Sequence, residues 1–205
     1  MPYDTLASVE TIATTIEALA ERGVVGEHVA TGALALARIK ELIPQGASVM
    51  NGSSRTLEAV GFIDYLIAGT HGWQNLHDDI LKEADPHKQA TLRKQSVLSD
   101  YYLGSVHAVS KTGEMVIASN SGSQLPHIVF TSPHLIFVVG AHKITPDLPS
   151  AIARVREYVF PLEDARMKAT GAKGSAISKL LIFEREAAFM QRTVHVIFVD
   201  EKVGF

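Results

Sequence analysis

The chain contains no cysteine. Disulfides, thiolate nucleophiles, cysteine-ligated zinc and cysteine-held iron–sulfur clusters are therefore excluded as chemistry of this chain itself. Such composition fits a reducing, cytoplasmic setting. An excess of one charge is lacking too: 19 Lys and Arg stand against 22 Asp and Glu, a formal net charge of −3. With no basic field and no Lys/Arg-dense run, nucleic acid is not an expected partner. Long apolar runs are absent; none approaches the roughly 20 residues that a membrane span needs. Met1-Pro2-Tyr3-Asp4 leads into no apolar core, so neither a signal peptide nor a membrane partner is expected. What remains is 205 residues, 46% of them hydrophobic, enough to bury one good-sized core. The expectation is one α/β domain over residues 1–205, opened by a helical segment over about 1–45.

Hydrophobic spacing supplies the elements. Val9, Ile12, Ile16 and Leu19 predict an amphipathic helix from about 5 to 22, stopped by Gly23. Its narrow stripe suits packing on its own domain or, alternatively, a homo-oligomer contact. A second helix is predicted over His28 to Ile43, then a short strand Ala47-Ser48-Val49-Met50. A third helix starts near Arg55, with Leu57, Val60, Ile63 and Ile67 as its inner face. Residues 69–88 carry His71, His77 and His87 among aspartates, but with no paired ligand spacing, so neither metal nor cofactor is expected. Asp85 should cap a helix begun by Pro86.

The stretch from Ser105 to Gly140 reads as strand, tight turn, strand, polar loop, short helix and buried strand. Val106 and Ala108, then Met115 and Ile117, flank the turn Lys111-Thr112-Gly113-Glu114, where Gly113 supplies the positive φ of a hairpin. Glu114 should lie exposed in that turn. Leu135 to Gly140 is a continuous apolar run, as in a strand buried on both faces. Asp147 is placed to cap a helix with Leu148, Ile152, Val155 and Val159 inside, Arg154 and Arg156 facing solvent, and Phe160-Pro161 as its break. Thr170 to Ser175 reads as a flexible connector or a lid, and Thr193 to Val199 as a final strand. Strands alternating with helices predict a three-layer αβα architecture around a mostly parallel sheet.

Two polar turns follow predicted strands: Asn51-Gly52-Ser53-Ser54, in which Ser53 or Ser54 can cap the third helix, and Asn120-Ser121-Gly122-Ser123. Lys143 lies just past the buried strand. Open α/β sheets bind ligands beyond the carboxyl ends of their strands. Backbone N–H groups at such turns and a lysine point charge suit a small anion. These nine residues are the candidate ligand-binding set. The turns are neither a Walker A loop nor a GxGxxG fingerprint, so they indicate no nucleotide. Ser121, His127 and Asp100 form a Ser–His–Asp set only if the fold brings them together.

These segments resemble the LUD-domain family of bacterial lactate utilisation. The resemblance covers about Gly46 to Phe205. It is carried by Asn51-Gly52-Ser53-Ser54, by Ser105 through Glu114, by Val138-Val139-Gly140-Ala141-His142-Lys143-Ile144, by Asp147 through Val155, by Phe160-Pro161-Leu162 and by Gly204-Phe205. It implies an architecture like that of NagB, RpiA and the CoA transferases. It also implies an accessory role in converting L-lactate to pyruvate beside iron–sulfur partner proteins. Two departures stand out. Some relatives carry a cysteine cluster after a Thr-Gly motif, where this chain has Thr170-Gly171-Ala172-Lys173-Gly174-Ser175. Relatives often place Asn-Arg after the central-loop glycine, where this chain has Ser123-Gln124. CoA transferases of similar fold use a glutamate nucleophile, and Ser119 to Gln124 holds no carboxylate. The alternatives are a stand-alone enzyme or sensor for a phosphorylated or CoA-linked metabolite, and an interaction module whose loops only cap helices.

Overall fold

The computed structural model describes residues 3–205. Ser8 opens the first helix: its Oγ accepts from the Thr11 N–H at 3.3 Å, and α1 runs Val9–Glu21. Ile12 and Leu19 are fully buried in the chain's own core, while Val9 is 60% exposed. The expected stripe is therefore mostly used within the chain. After Gly23 comes β1, Val25–Val29, then α2, Gly32–Leu42. Residues 1–45 were expected to be helical and instead contain a strand. β1 pairs with a neighbour on one side only, so it shows none of the continuous apolar character of a central strand.

β2, Ser48–Asn51, leads to α3, Arg55–Ala59, and α4, Phe62–Ile67. The expected third helix is thus two helices, divided at Gly61, whose φ is +77°. That left-handed residue rotates the inner face. Phe62 and Leu66 are buried, whereas Ile67, expected inside, is 78% exposed. β3, Gln74–Asn75, and helices α5, Leu76–Lys82, and α6, Pro86–Gln95, complete this excursion. Asp85 caps α6 as expected, accepting from the His87 and Lys88 N–H groups. The histidines here do separate jobs. His71 accepts from the Trp73 N–H at 3.0 Å and stacks on its indole, and His77 bonds the Asn51 carbonyl at 3.1 Å. Among the described residues no group of three potential metal ligands is assembled.

The hairpin forms as read, with β5, Ala108–Ser110, antiparallel to β6, Met115–Ser119; before it runs β4, Tyr101–Gly104, and after it the central strand β7, His134–Gly140. Glu114 is not exposed. Its carboxylate takes hydrogen bonds from Ser110 and Thr112 and an ion pair from Arg22 at the end of α1. Burial alone would raise its pKa, but these partners hold it below the usual carboxylate value. β8, Ile144–Thr145, precedes α7, Leu148–Arg154, which Asp147 caps through the Ser150 N–H at 2.8 Å. Phe160-Pro161 does not break the helix. A π turn over Val155–Val159 widens it, and α8, Phe160–Ala169, continues directly from that turn with Pro161 near its start. β9, Lys179–Phe183, and β10, Thr193–Val199, end the chain's regular structure.

The main sheet is six-stranded and parallel throughout, in the order β1-β10-β7-β4-β2-β3. A second sheet has the order β8-β5-β6-β9. In the main sheet Leu135, Phe137, Val139, Val196 and Phe198 face α1 and the second sheet. Ile136, Val138, Ile197 and Val199 face α2, α3 and α4. Both faces are buried, which is the three-layer αβα architecture expected. The hairpin of β5 and β6 belongs to the second sheet. The outer face of the second sheet, through Ala108 and Val116, carries Ala151 and Val155 of the helix that follows. Replacing Gly61 with Ala should cost about 1 kcal/mol, because its Cβ meets only ordinary contact with Leu36 and the penalty is that of the left-handed backbone. Thermal unfolding should show a fall in Tm of about 2–4 °C; no fall would mean the bend between α3 and α4 relaxes freely.

Candidate functional site

Strand order places the site. From β2 the chain moves outward to β3, then returns to β4 on the other side of β2 and continues to β7 and β10. Such a reversal leaves a crevice beyond the carboxyl ends of the two strands where it occurs. Here those ends are followed by Gly52-Ser53-Ser54 and by Ser105. A cleft of about 200 Å³ opens there, walled by these turns, by His107, Ser119, Asn120 and Gln124, by Lys143, and by α8 with the segment Ser175–Ile177.

Each wall has a local cause. Ser54 is the cap of α3: its Oγ accepts from the Leu57 N–H at 3.3 Å, which leaves its O–H proton available as a donor. Gly52 must be small, since a Cβ there would lie 2.8 Å from the Tyr102 hydroxyl. Tyr102 stacks on His127 at 4.5 Å, and burial raises its pKa well above the ordinary value, so it stays a neutral phenol. Gln124 holds the central loop to its own strand, donating to the Ala118 carbonyl at 3.1 Å. Asn120 is fastened from across the second sheet by Ser178, at 3.1 Å, and by Lys179. The connector expected over 170–175 is anchored at its far end, where the Ser175 N–H donates to Asp164 at 2.8 Å.

Lys143 is the most unusual group in the cleft. It is 3% exposed, and its Nζ donates to Thr56 Oγ1 at 2.8 Å and Ser105 Oγ at 3.1 Å. Both partners are neutral. Among the described residues it forms no ion pair. Burial, with the charge of Arg154 as a lesser cause, brings its pKa from 10.5 down to about 7. A shift of that size weighs against the ammonium by roughly 5 kcal/mol. His107 and His142 flank it, and burial followed by the charges of Lys143 and Arg154 holds both at about 3. They are neutral imidazoles at any ordinary pH. His107 Nδ1 accepts from the Ala118 N–H at 3.1 Å, which assigns its proton to Nε2.

Arg154 was expected in solvent and is instead completely buried. It donates to the carbonyls of His107 and Tyr3, and its guanidinium lies 5.2 Å from the Tyr158 ring. The packing of α7 on β5 carries Arg154 under the hairpin, a placement that helical periodicity could not show. It too has no ion pair among the described residues: Asp4, whose charge reaches it, is bonded to Lys202 at 3.1 Å. Burial lowers its pKa to about 10, so it stays charged. Behind the cleft there is thus one fixed positive charge, and in the cleft an amine close to its midpoint at neutral pH.

Of the nine residues singled out from the sequence, Gly52, Ser53, Ser54, Asn120 and Lys143 line the cleft. Asn51, Ser121, Gly122 and Ser123 do not. Asn51 is buried beneath its turn with an unpartnered Oδ1, and Ser121 and Ser123 bond each other at 3.1 Å on the outer side of the loop. Thr56, Ser105, His107, Arg55 and Arg166 were not singled out and do line it. Thr56 and Ser105 could have been flagged as hydroxyls following strand ends. Ser121, His127 and Asp100 are not together: His127 bonds Ser132 and Ser99, and Asp100 bonds Ser48.

These features define an α/β protein with a polar cleft at the switch point of a parallel sheet and a buried lysine in its wall. The LUD domain family matches residues 12–199, and the chain belongs to that family, which is associated with lactate utilisation. The match begins within α1, so the likeness extends further toward the N-terminus than Gly46. The crystal structure of a DUF162 family protein from Deinococcus radiodurans is similar, with a TM-score of 0.56 over 95% of this chain and 99% of that one. At 14% identity that likeness concerns the fold alone. No match is found among curated proteins.

Lys143 holds fewer protons in the folded chain than in the unfolded one between about pH 7 and its ordinary 10.5. Folding stability therefore rises with pH across that window, and the ammonium's burial cost is carried in full below it. In Lys143→Met this contribution is gone. Denaturant unfolding should show the variant's relative stability greatest near pH 6 and diminishing by several kcal/mol toward about pH 10. A difference independent of pH would place the Lys143 pKa near its ordinary value.

Proposed function

We propose that this protein binds a small anionic metabolite in the cleft, as an accessory component of L-lactate utilisation acting beside iron–sulfur proteins. The observation that supports anion binding is Lys143, buried in the cleft wall with only hydroxyl partners. An unpaired buried ammonium is costly, and an anion arriving beside it lowers that cost. Binding an anion then raises the lysine's proton affinity, so ligand uptake near neutral pH is accompanied by proton uptake. Ser53, Ser54 and Asn120 supply neutral donors around the same space. A phosphorylated or CoA-linked metabolite is the second reading, favoured by Arg55 and Arg166 in the lining. Each of these arginines already holds a glutamate, Glu58 and Glu163 respectively, so a phosphate there would compete with an existing ion pair.

A thermal-shift panel of lactate, pyruvate, phosphosugars and CoA tests the reading. A ligand at 100 times its Kd stabilises by about 2.7 kcal/mol, a rise in Tm of roughly 5–10 °C for a chain of this size. Lys143→Met should remove the response. No stabilisation by any of the four classes would defeat the anion reading. The accessory role is tested separately by native pull-down from lactate-grown cells, which should recover iron–sulfur proteins; repeated failure to do so would leave a stand-alone role.

A further inference from the structure

The groups around Lys143 suit more than holding an anion. Its Nζ points at two hydroxyls and, among the described residues, at no carboxylate, in a cleft whose remaining lining is largely neutral. A lysine meant only as a point charge needs no such environment; an amine that must be a nucleophile does. His107 lines the same cleft with its Nδ1 already occupied by Ala118, leaving Nε2–H as the donor for a ligand oxygen. Ser53, Ser54 and Arg55 lie on the same wall as Thr56, where they can take an anionic end.

From this geometry we infer that Lys143 forms a Schiff base with a small carbonyl compound carrying an anionic group beside the carbonyl, a 2-oxo acid or a phosphorylated ketone. The inference rests on the reading of this cleft as the ligand site. The Nζ lone pair adds to the carbonyl carbon, and the carbonyl π pair moves to oxygen, toward the His107 Nε2–H. A proton then passes from nitrogen to that oxygen, while the Thr56 and Ser105 hydroxyls, whose own protons go to the Val203 and Val106 carbonyls, hold the amine in place by accepting from it. The carbinolamine then releases its hydroxyl as water with the second amine proton, and the nitrogen lone pair closes the C=N bond. One amine and one carbonyl give one imine and one water, with no oxidant or reductant. The charged and titratable groups around this amine are His107, His142 and Arg154, with Arg55 on the wall of Thr56, Tyr102 in the lining, and Glu163 and Arg166 across the cleft. With His107 and His142 neutral, the pH response belongs to Lys143 itself, and the depression of its pKa to about 7 leaves much of it as free amine at neutral pH.

The full chain is incubated at neutral pH with pyruvate or dihydroxyacetone phosphate and sodium cyanoborohydride, then read by intact mass and peptide mapping. The expected result is one reduced adduct, on the peptide that contains Lys143, formed at least about tenfold faster than on any surface lysine. Its rate should rise with pH through about 7 and level off. Lactate, which has no ketone or aldehyde carbonyl, should give none. An adduct with pyruvate identifies the anion as a carboxylate, and one with dihydroxyacetone phosphate as a phosphate; either supports the inference. Slow labelling spread over surface lysines, with both compounds, overturns it. Because the readout is on the unmodified chain, it does not depend on Lys143→Met folding. Anion stabilisation without an adduct would leave the proposed binding function standing and remove the Schiff base. An adduct without stabilisation by any anion would do the reverse.

Discussion

One buried amine ties together the carboxyl ends of three parallel strands. Lys143 follows β7, and its Nζ bonds reach Thr56 on the helix after β2 and Ser105 after β4. Thr56 passes the link on by donating to the Val203 carbonyl at 3.1 Å, which brings Phe205 to the cleft wall. Hydroxyls are the partners such a group requires if it is to stay close to its midpoint. A carboxylate in place of either one would hold the ammonium charged and fill the cleft with an internal ion pair. Small neutral partners satisfy its hydrogen bonds and leave its charge responsive to whatever enters.

The cleft exists because the chain leaves the main sheet after β4. Had the hairpin continued as neighbouring strands of that sheet, the ends of β2 and β4 would face open solvent. Instead β5 and β6 form a second sheet with β8 and β9, whose inner face packs Val109, Met115 and Ile117 against the same core as α1. The outer face of this sheet carries α7 and, through the π turn, α8. That widened turn lets the helix run on past Val159, so Glu163 and Arg166 form the wall opposite Ser53 and Ser54.

Elements governed by local rules were legible in the sequence: the hairpin at Gly113, the caps Asp85, Asp147 and Ser54, and the buried run of β7. So were the two turns and the lysine at the sheet edge. The failures share one cause, which is dependence on partners distant in sequence. β1 is an edge strand whose pairing with β10 spans nearly the whole chain, and nothing in Val25-Gly26-Glu27-His28-Val29 announces it. Glu114 reads as a turn residue until Arg22 arrives from α1. Arg154 lies off the apolar stripe of its helix, and only the packing of α7 on β5 turns that position inward. Sequence could place Lys143 at an edge, but its burial depends on turns contributed by separate strands.

The same accounting narrows the chemistry available in the cleft. General acid–base catalysis of hydrolysis by paired carboxylates needs two free acids, and the lining offers Glu163, whose two oxygens are both bonded to Arg166 at 2.7 Å. The histidines beside Lys143 sit far below the pH at which an imidazole can shuttle protons as acid and base, because burial and two neighbouring cations oppose their charging. Among the described residues Ser105 and Thr56 have no base other than the amine itself within hydrogen-bonding reach, and their protons go to backbone carbonyls, so they lack the His–Asp support of an activated nucleophile. What is left is an amine that can gain or lose its proton near neutrality, neutral donors around it and fixed positive charge behind it. Those groups suit the proposed anion, and a bond between nitrogen and a carbonyl carbon is the covalent step that such an amine allows.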